Sequence, residues 1–133
     1  MRSGHDAFHL AIPARDLDEA VEFYVGGLGC HLARRYDDRV TLDFFGDQVV
    51  CHLSEAWDAG PRQLYPRHFG VTFRSREDFD ALLFLVETRG LEVFSACRTR
   101  FGDRVEGHLT LVLADPSGNL IEFKHYRDPR MMY

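Results

Sequence analysis

Apolar and polar residues alternate in short runs along the chain, and two stretches with helical spacing interrupt these runs. The first run, 8–12, places Phe8, Leu10 and Ile12 on one face of a strand. Asp16 is a typical helix N-cap, and the residues after it predict an amphipathic helix that ends near 26–27. Its apolar positions recur every three or four residues, at Leu17, Ala20, Val21 and Tyr24. Three short strands separated by turn residues are predicted next, at 31–36, 39–45 and 48–54.

The second half of the chain repeats this order of elements. A strand at 68–73 precedes a helix that Ser75 caps and Gly90 ends. Three strands follow, at 91–99, 108–114 and 119–125. Each half is therefore βαβββ, which predicts an α+β fold with the helices on one face of the strands. We expect a single domain, 1–133, with module 1 at about 7–54, module 2 at about 67–127 and a connector at 55–66.

Four strands place a possible metal ligand on the face opposite the apolar one. Side chains alternate between the two faces of a strand, so His9, His52, His68 and Glu122 all point away from the helix-packed side. Taken alone, each of these residues is typical of a solvent-exposed position in a strand. Together, at matching places in two modules, they predict a divalent-metal site in a cavity formed by a curled sheet. His108 and Thr110 either line the same cavity or are simply exposed.

Composition and charge narrow the possible partners to small molecules. The net charge is −5 with no basic stripe, which excludes nucleic acid, and no apolar run is long enough to span a bilayer. Three well-separated cysteines are typical of free thiols in a reducing cytoplasm. Phe84 and Leu85 lie beyond the apolar stripe of the second helix, which indicates either a homodimer or a broad core. Two interpretations fit the arginines Arg98, Arg100 and Arg104 equally well: they bind an anionic substrate, or they are simply exposed to solvent.

The chain resembles the vicinal oxygen chelate superfamily, which includes glyoxalase I, extradiol dioxygenases and the fosfomycin- and bleomycin-resistance proteins. The resemblance rests on Phe-His-Leu-Ala-Ile-Pro at 8–13 and on Asp-Pro-Ser-Gly-Asn-Leu-Ile-Glu-Phe at 115–123, and it extends from about residue 7 to 127. The segments 44–53 and 67–71 are similar to a bacterial subgroup of predicted extradiol-type dioxygenases.

This resemblance implies an eight-stranded, incompletely closed barrel around a metal held by His9, His68 and Glu122. It implies that His52 is either a fourth ligand or an acid–base group, and we place His108, Thr110 and Arg100 at the substrate. Two histidines and one carboxylate favour Fe(II) and a dioxygenase-like reaction. If His52 is a ligand, Zn, Ni or Mn and a glyoxalase-type lyase or isomerase reaction are favoured instead. Strand 108–113 lacks the tyrosine of classical extradiol enzymes, and a metal-free binding protein of the resistance type is the third alternative.

Overall fold

The computed structural model describes residues 3–55 and 63–133, and its first half is one βαβββ module. The helix α1 (Leu17–Val21) continues directly into a π-helical segment, Glu22–Gly27. The side chain of Asp16 caps α1 by accepting hydrogen bonds from the backbone N–H groups of Asp18 and Glu19. A four-stranded sheet in the order β1-β4-β3-β2 is made of β1 (His9–Ala14), β2 (His31–Arg35), β3 (Arg39–Phe44) and β4 (Asp47–Leu53).

The second half repeats the module with a longer helix, α2 (Arg76–Thr88), capped by Ser75. Its sheet has the order β5-β8-β7-β6, in which β5 and β8 are parallel and the other pairs antiparallel. The strands are β5 (Phe69–Phe73), β6 (Val93–Arg100), β7 (His108–Ala114) and β8 (Leu120–Tyr126). A 3-10 turn, Pro129–Met132, follows β8. A turn at 115–118 joins β7 to β8, with Gly118 N–H donating to the Asp115 carbonyl at 3.0 Å.

The helix-packed faces of the two sheets share one hydrophobic core. The larger of two clusters of buried residues contains members from both modules, and Phe44 of β3 packs against Phe69 and Phe123 with ring centroids 5.6 and 6.4 Å away. Tyr24 and Phe79, one from each helical segment, are fully buried in the same cluster. Because each sheet turns its apolar face inward, the polar faces of the two sheets point away from each other.

A buried carboxylate links the modules at the edge of this core. Asp115 accepts the Tyr24 hydroxyl at 2.9 Å and the Asn119 side-chain amide at 2.7 Å, and the same amide donates to the Pro13 carbonyl at 2.9 Å. Burial raises the pKa of Asp115, although hydrogen bonds from Asn119, Tyr24 and Ser117 oppose this. The side chain therefore satisfies groups from both halves, as a buried polar residue must.

The predicted α+β class and the two βαβββ modules are confirmed, and the two sheets are not closed into a barrel. Within the described ranges, strand pairing is confined to each module. The first predicted helix is present, although its second half is π-helical. The predicted connector at 55–66 lies largely outside the described residues, which resume at 63. In the described part of the chain, no helix is long and apolar enough to cross a membrane.

We expect the protein to lose stability steeply above about pH 9. Burial raises the pKa of both Cys30 and Cys51 to about 12, whereas an unfolded thiol titrates near pH 8.5. The folded state thus keeps two protons that the unfolded state releases. The two buried thiols therefore contribute their full stabilisation below pH 8.5, and this stabilisation is lost as pH rises towards 12. In that range the two thiols together lower the free energy of unfolding by about 2–3 kcal/mol per pH unit.

Urea unfolding at pH 8 and pH 10.5 measures this loss. The Cys30→Ala/Cys51→Ala double variant should lose much less stability between the two pH values than the wild type. An equal loss in both proteins would contradict the assignment to these thiols.

Candidate metal site

His68 and Glu122 lie side by side on the polar face of the second sheet. Glu122 is in β8, in register with Gly70 of β5, and His68 immediately precedes β5. The His68 Nε2 and Glu122 Oε2 atoms are 3.2 Å apart. Two ligands with metal bonds of about 2.0–2.2 Å have this separation when they share one ion at an angle near 100°.

The hydrogen bonds of His68 leave its Nε2 without a proton in the neutral ring. Its Nδ1 lies 2.8 Å from the Leu64 carbonyl oxygen, which can only accept, so Nδ1 carries the hydrogen. Nε2 then faces a carboxylate oxygen with a lone pair, an arrangement that requires a cation or a proton between the two atoms. A histidine whose other nitrogen donates to a carbonyl is also the usual form of a metal ligand. The pair therefore fits a divalent metal.

Glu122 is held as a carboxylate by the groups around it. Burial alone would raise its pKa, but the hydrogen bonds from Thr110 and Lys124 and the charge of Lys124 outweigh this, and the pKa is lowered. The Thr110 hydroxyl donates to Oε1 at 2.7 Å and Lys124 Nζ lies 3.0 Å from Oε2. Glu122 is 5% exposed. It is thus ionised at neutral pH with one oxygen fixed and the other directed towards His68.

His9 lies on the polar face of the other sheet, so a single chain does not bring it to this pair. It is exposed, and its Nδ1 lies 2.6 Å from Gln48 Oε1, which leaves Nε2 as a free ligand atom. In the described ranges, 3–55 and 63–133, no group of three or more His, Cys, Asp and Glu side chains is close enough to hold a metal. The sequence suggested one cavity for all the ligands, but the shared core directs the two polar faces apart.

His52 shares the polar face of β4 but lies further along the sheet than the matching of modules suggested. In module 2, Glu122 pairs with Gly70, two residues after His68. In module 1, His52 pairs with Pro13, four residues after His9. Val50, paired with Ala11, occupies the place in module 1 that corresponds to Glu122. At about 3.3 Å per residue, the His9 and His52 backbones are roughly 13 Å apart along the strand direction.

Three residues predicted at the substrate lie on the same face as Glu122. Thr110 is buried, and its hydroxyl donates a hydrogen bond to Glu122. His108 is half-buried, donates from Nδ1 to the Glu106 carbonyl at 2.9 Å and stacks near Tyr126, with ring centroids 4.6 Å apart. Arg100 is in register with His108 across β6 and β7.

The residue that sequence reasoning missed is Lys124, which contacts the Glu122 carboxylate directly. The signal was present, since Lys124 has the same strand parity as Glu122. Two surface grooves of about 630 and 600 Å³ include neither His68 nor Glu122.

A family model matches residues 7–123, described as the glyoxalase/bleomycin resistance protein/dioxygenase superfamily. The chain belongs to this superfamily. The vicinal oxygen chelate resemblance seen in the sequence is thereby confirmed, whereas the narrower extradiol-type subgroup stays a prediction. No curated protein sequence matches the chain.

Several solved structures share the fold. A glyoxalase/bleomycin resistance protein/dioxygenase from Alicyclobacillus acidocaldarius is 59% identical, with a TM-score of 0.96 over 100% of both chains. The fosfomycin resistance protein FosX from Listeria monocytogenes is 16% identical, with a TM-score of 0.74 over 100% of both chains. A lactoylglutathione lyase from Agrobacterium tumefaciens is 19% identical, with a TM-score of 0.69 over 90% of this chain and 92% of its own. The last two likenesses concern the fold alone.

Proposed function

We propose that the protein is a metal-dependent enzyme that acts on a small-molecule substrate in the cytoplasm, with Fe(II) as the favoured metal and a dioxygenase-like reaction. The observation that carries the proposal is the His68–Glu122 pair, because the His68 Nε2 and an ionised carboxylate oxygen lie 3.2 Å apart, with His68 Nδ1 engaged by the Leu64 carbonyl. Two histidines and one carboxylate leave coordination positions free for substrate and dioxygen. Free cysteines at positions 30, 51 and 97 support the cytoplasmic location.

The third ligand, His9, is proposed to come from a second copy of the chain. His9 and the His68–Glu122 pair lie on outward-facing polar surfaces of one chain, and these surfaces can meet only between two chains. A two-fold symmetric dimer would join module 1 of each copy to module 2 of the other and form two equal sites.

Residues of the chain supply positioning and proton transfer in this proposal. Thr110 fixes the orientation of Glu122 through Oε1, and the Leu64 carbonyl fixes the ring of His68. His52 is assigned proton transfer rather than metal binding, because its register places it well beyond His9. Histidine is the side chain that most often serves as a general acid or base in catalysis. His108 and Arg100 lie on the same face as Glu122 and would contact the rest of the substrate.

Metal content of protein purified anaerobically without a histidine tag tests the proposal. We expect about one iron per chain, and His9→Ala, His68→Ala and Glu122→Ala should each abolish stoichiometric binding because a facial site has no spare ligand. His52→Ala should keep the metal. Unchanged metal content in the first three variants would refute the site.

The identity of the metal separates the alternatives for the reaction. Zinc, nickel or manganese in place of iron would favour an oxygen-independent lyase or isomerase, since these ions suit Lewis-acid chemistry. A protein that takes up no metal at all would instead be a small-molecule-binding protein of the resistance type.

A further inference from the structure

We propose that Lys124 and Arg98 form a binding site for an anionic group of the substrate, next to the His68–Glu122 pair. The inference rests on the proposed function, since it concerns the molecule that would be bound at that pair. It names the chemical class of the substrate as a small molecule with a carboxylate or a tetrahedral oxyanion.

The two cations lie in one row across the second sheet. Lys124 is in register with Thr110, and Thr110 is in register with Arg98. The row adjoins the one that contains Glu122, which is in register with Val112. Neighbouring strands are about 4.8 Å apart, so the backbones of Lys124 and Arg98 are separated by roughly 10 Å. Two long side chains can converge on one oxyanion across that distance.

The second sheet carries more positively than negatively charged side chains. Strands β5–β8 contain Arg98, Arg100 and Lys124 but only one acidic residue, Glu122. Among the residues that the structure describes, neither arginine forms an ion pair, and Arg100 instead lies over the Phe101 ring at 5.4 Å. The chain as a whole is acidic, with a net charge of −5. A local excess of cations attracts an anion.

Lys124 has donors to spare after its contact with Glu122. Its Nζ lies 3.0 Å from Glu122 Oε2, and an ammonium group carries three hydrogens, so two remain for another acceptor. The side chain is 29% exposed, which leaves the amine within reach of a ligand. It is also the only lysine in the chain, where the other 15 of the 16 basic residues are arginines.

The same contact makes Lys124 act in opposite directions on a metal and on an anion. Its positive charge lies beside Oε2, the oxygen offered to a divalent ion, and like charges repel. Removing the charge should therefore strengthen metal binding and weaken anion binding. A substitution that merely damaged the fold would weaken both.

The test compares the wild type with Lys124→Met and, as a matched control, Arg76→Met. The Arg76→Met substitution also removes one positive charge. Arg76, however, is paired with Asp80 on α2, on the opposite side of the sheet. Titration calorimetry measures the affinity for Mn²⁺ and, on Mn²⁺-loaded protein, for sulfate and acetate at fixed ionic strength. Mass spectrometry measures how far sulfate or acetate slows acetylation of Lys124, with and without Mn²⁺.

We expect Lys124→Met to weaken sulfate or acetate binding about tenfold or more, the loss of one charge-assisted hydrogen bond, and to tighten Mn²⁺ binding. The tighter of the two anions identifies a tetrahedral or a planar group. Anion affinity within about twofold of the wild type, or no protection of Lys124 by either anion, would overturn the inference while leaving the metal proposal intact. Protection in a protein that takes up no Mn²⁺ would support the anion site and refute the metal proposal.

Discussion

Dimers that combine one His9→Ala copy with one Glu122→Ala copy are expected to bind metal that neither variant binds alone. The His9→Ala copy retains His68 and Glu122, and the Glu122→Ala copy retains His9. In a shared-site dimer, one of the two sites therefore has all three ligands and the other lacks both altered ones. Purified mixed dimers should hold about one metal per dimer.

Co-expression with two different tags, neither of them polyhistidine, isolates the mixed dimer for metal analysis by mass spectrometry. A mixed dimer of His68→Ala with Glu122→Ala is the matched control. These two ligands lie in the same module, so no site regains both and metal should stay absent. Metal in the control, or none in the first mixture, would show that the ligands are not divided between copies. Recovery of a monomer alone would refute the dimer.

Gly70→Ala is expected to destabilise the protein by about 3 kcal/mol or more, at the upper end for overpacking of a core. A Cβ at position 70 would lie 1.7 Å from the backbone carbonyl oxygen of Glu122. This contact is with backbone, which cannot move aside as a flexible side chain does. Strand β5 would have to separate from β8, which would disturb the placement of both His68 and Glu122. Metal binding should be lost together with stability.

Urea unfolding of Gly70→Ala beside Gly26→Ala measures this effect. Apart from its chain neighbours and its own helix backbone, no described atom lies within 4 Å of a Cβ added at Gly26, so this substitution controls for the general effect of alanine. A Gly70→Ala variant as stable as the control would contradict the close approach of the two strands. Retention of the metal in a destabilised variant would separate the packing role of Gly70 from the site.

Strand parity and helix spacing were sufficient to predict the two modules and the face on which each candidate ligand lies. Leu10 and Ile12 turn towards the core and His9 away from it, and Glu122 opposes Ile121 and Phe123 in the same way. These properties depend on alternation within a strand, which is local and can be obtained from one sequence.

The meeting of the candidate ligands could not be predicted, because it depends on how the modules pack. Parity places His9 and Glu122 on polar faces but does not say that a shared core directs those faces apart. The register of β1 against β4 is also non-local, so the position of His52 beyond His9 could not be obtained from the pattern of either strand. Lys124 was overlooked because a lysine two residues from a carboxylate on a strand is usually solvated.

The common core has a consequence for how the chain folds. Phe44 packs against Phe69 and Phe123, and Tyr24 reaches across to Asp115, so each module completes the interior of the other. The order of elements is repeated, yet the cooperative unit of folding is the pair of modules. Neither half can bury its apolar face alone, so an isolated half would expose that face to water, and the two halves gain their stability in one step.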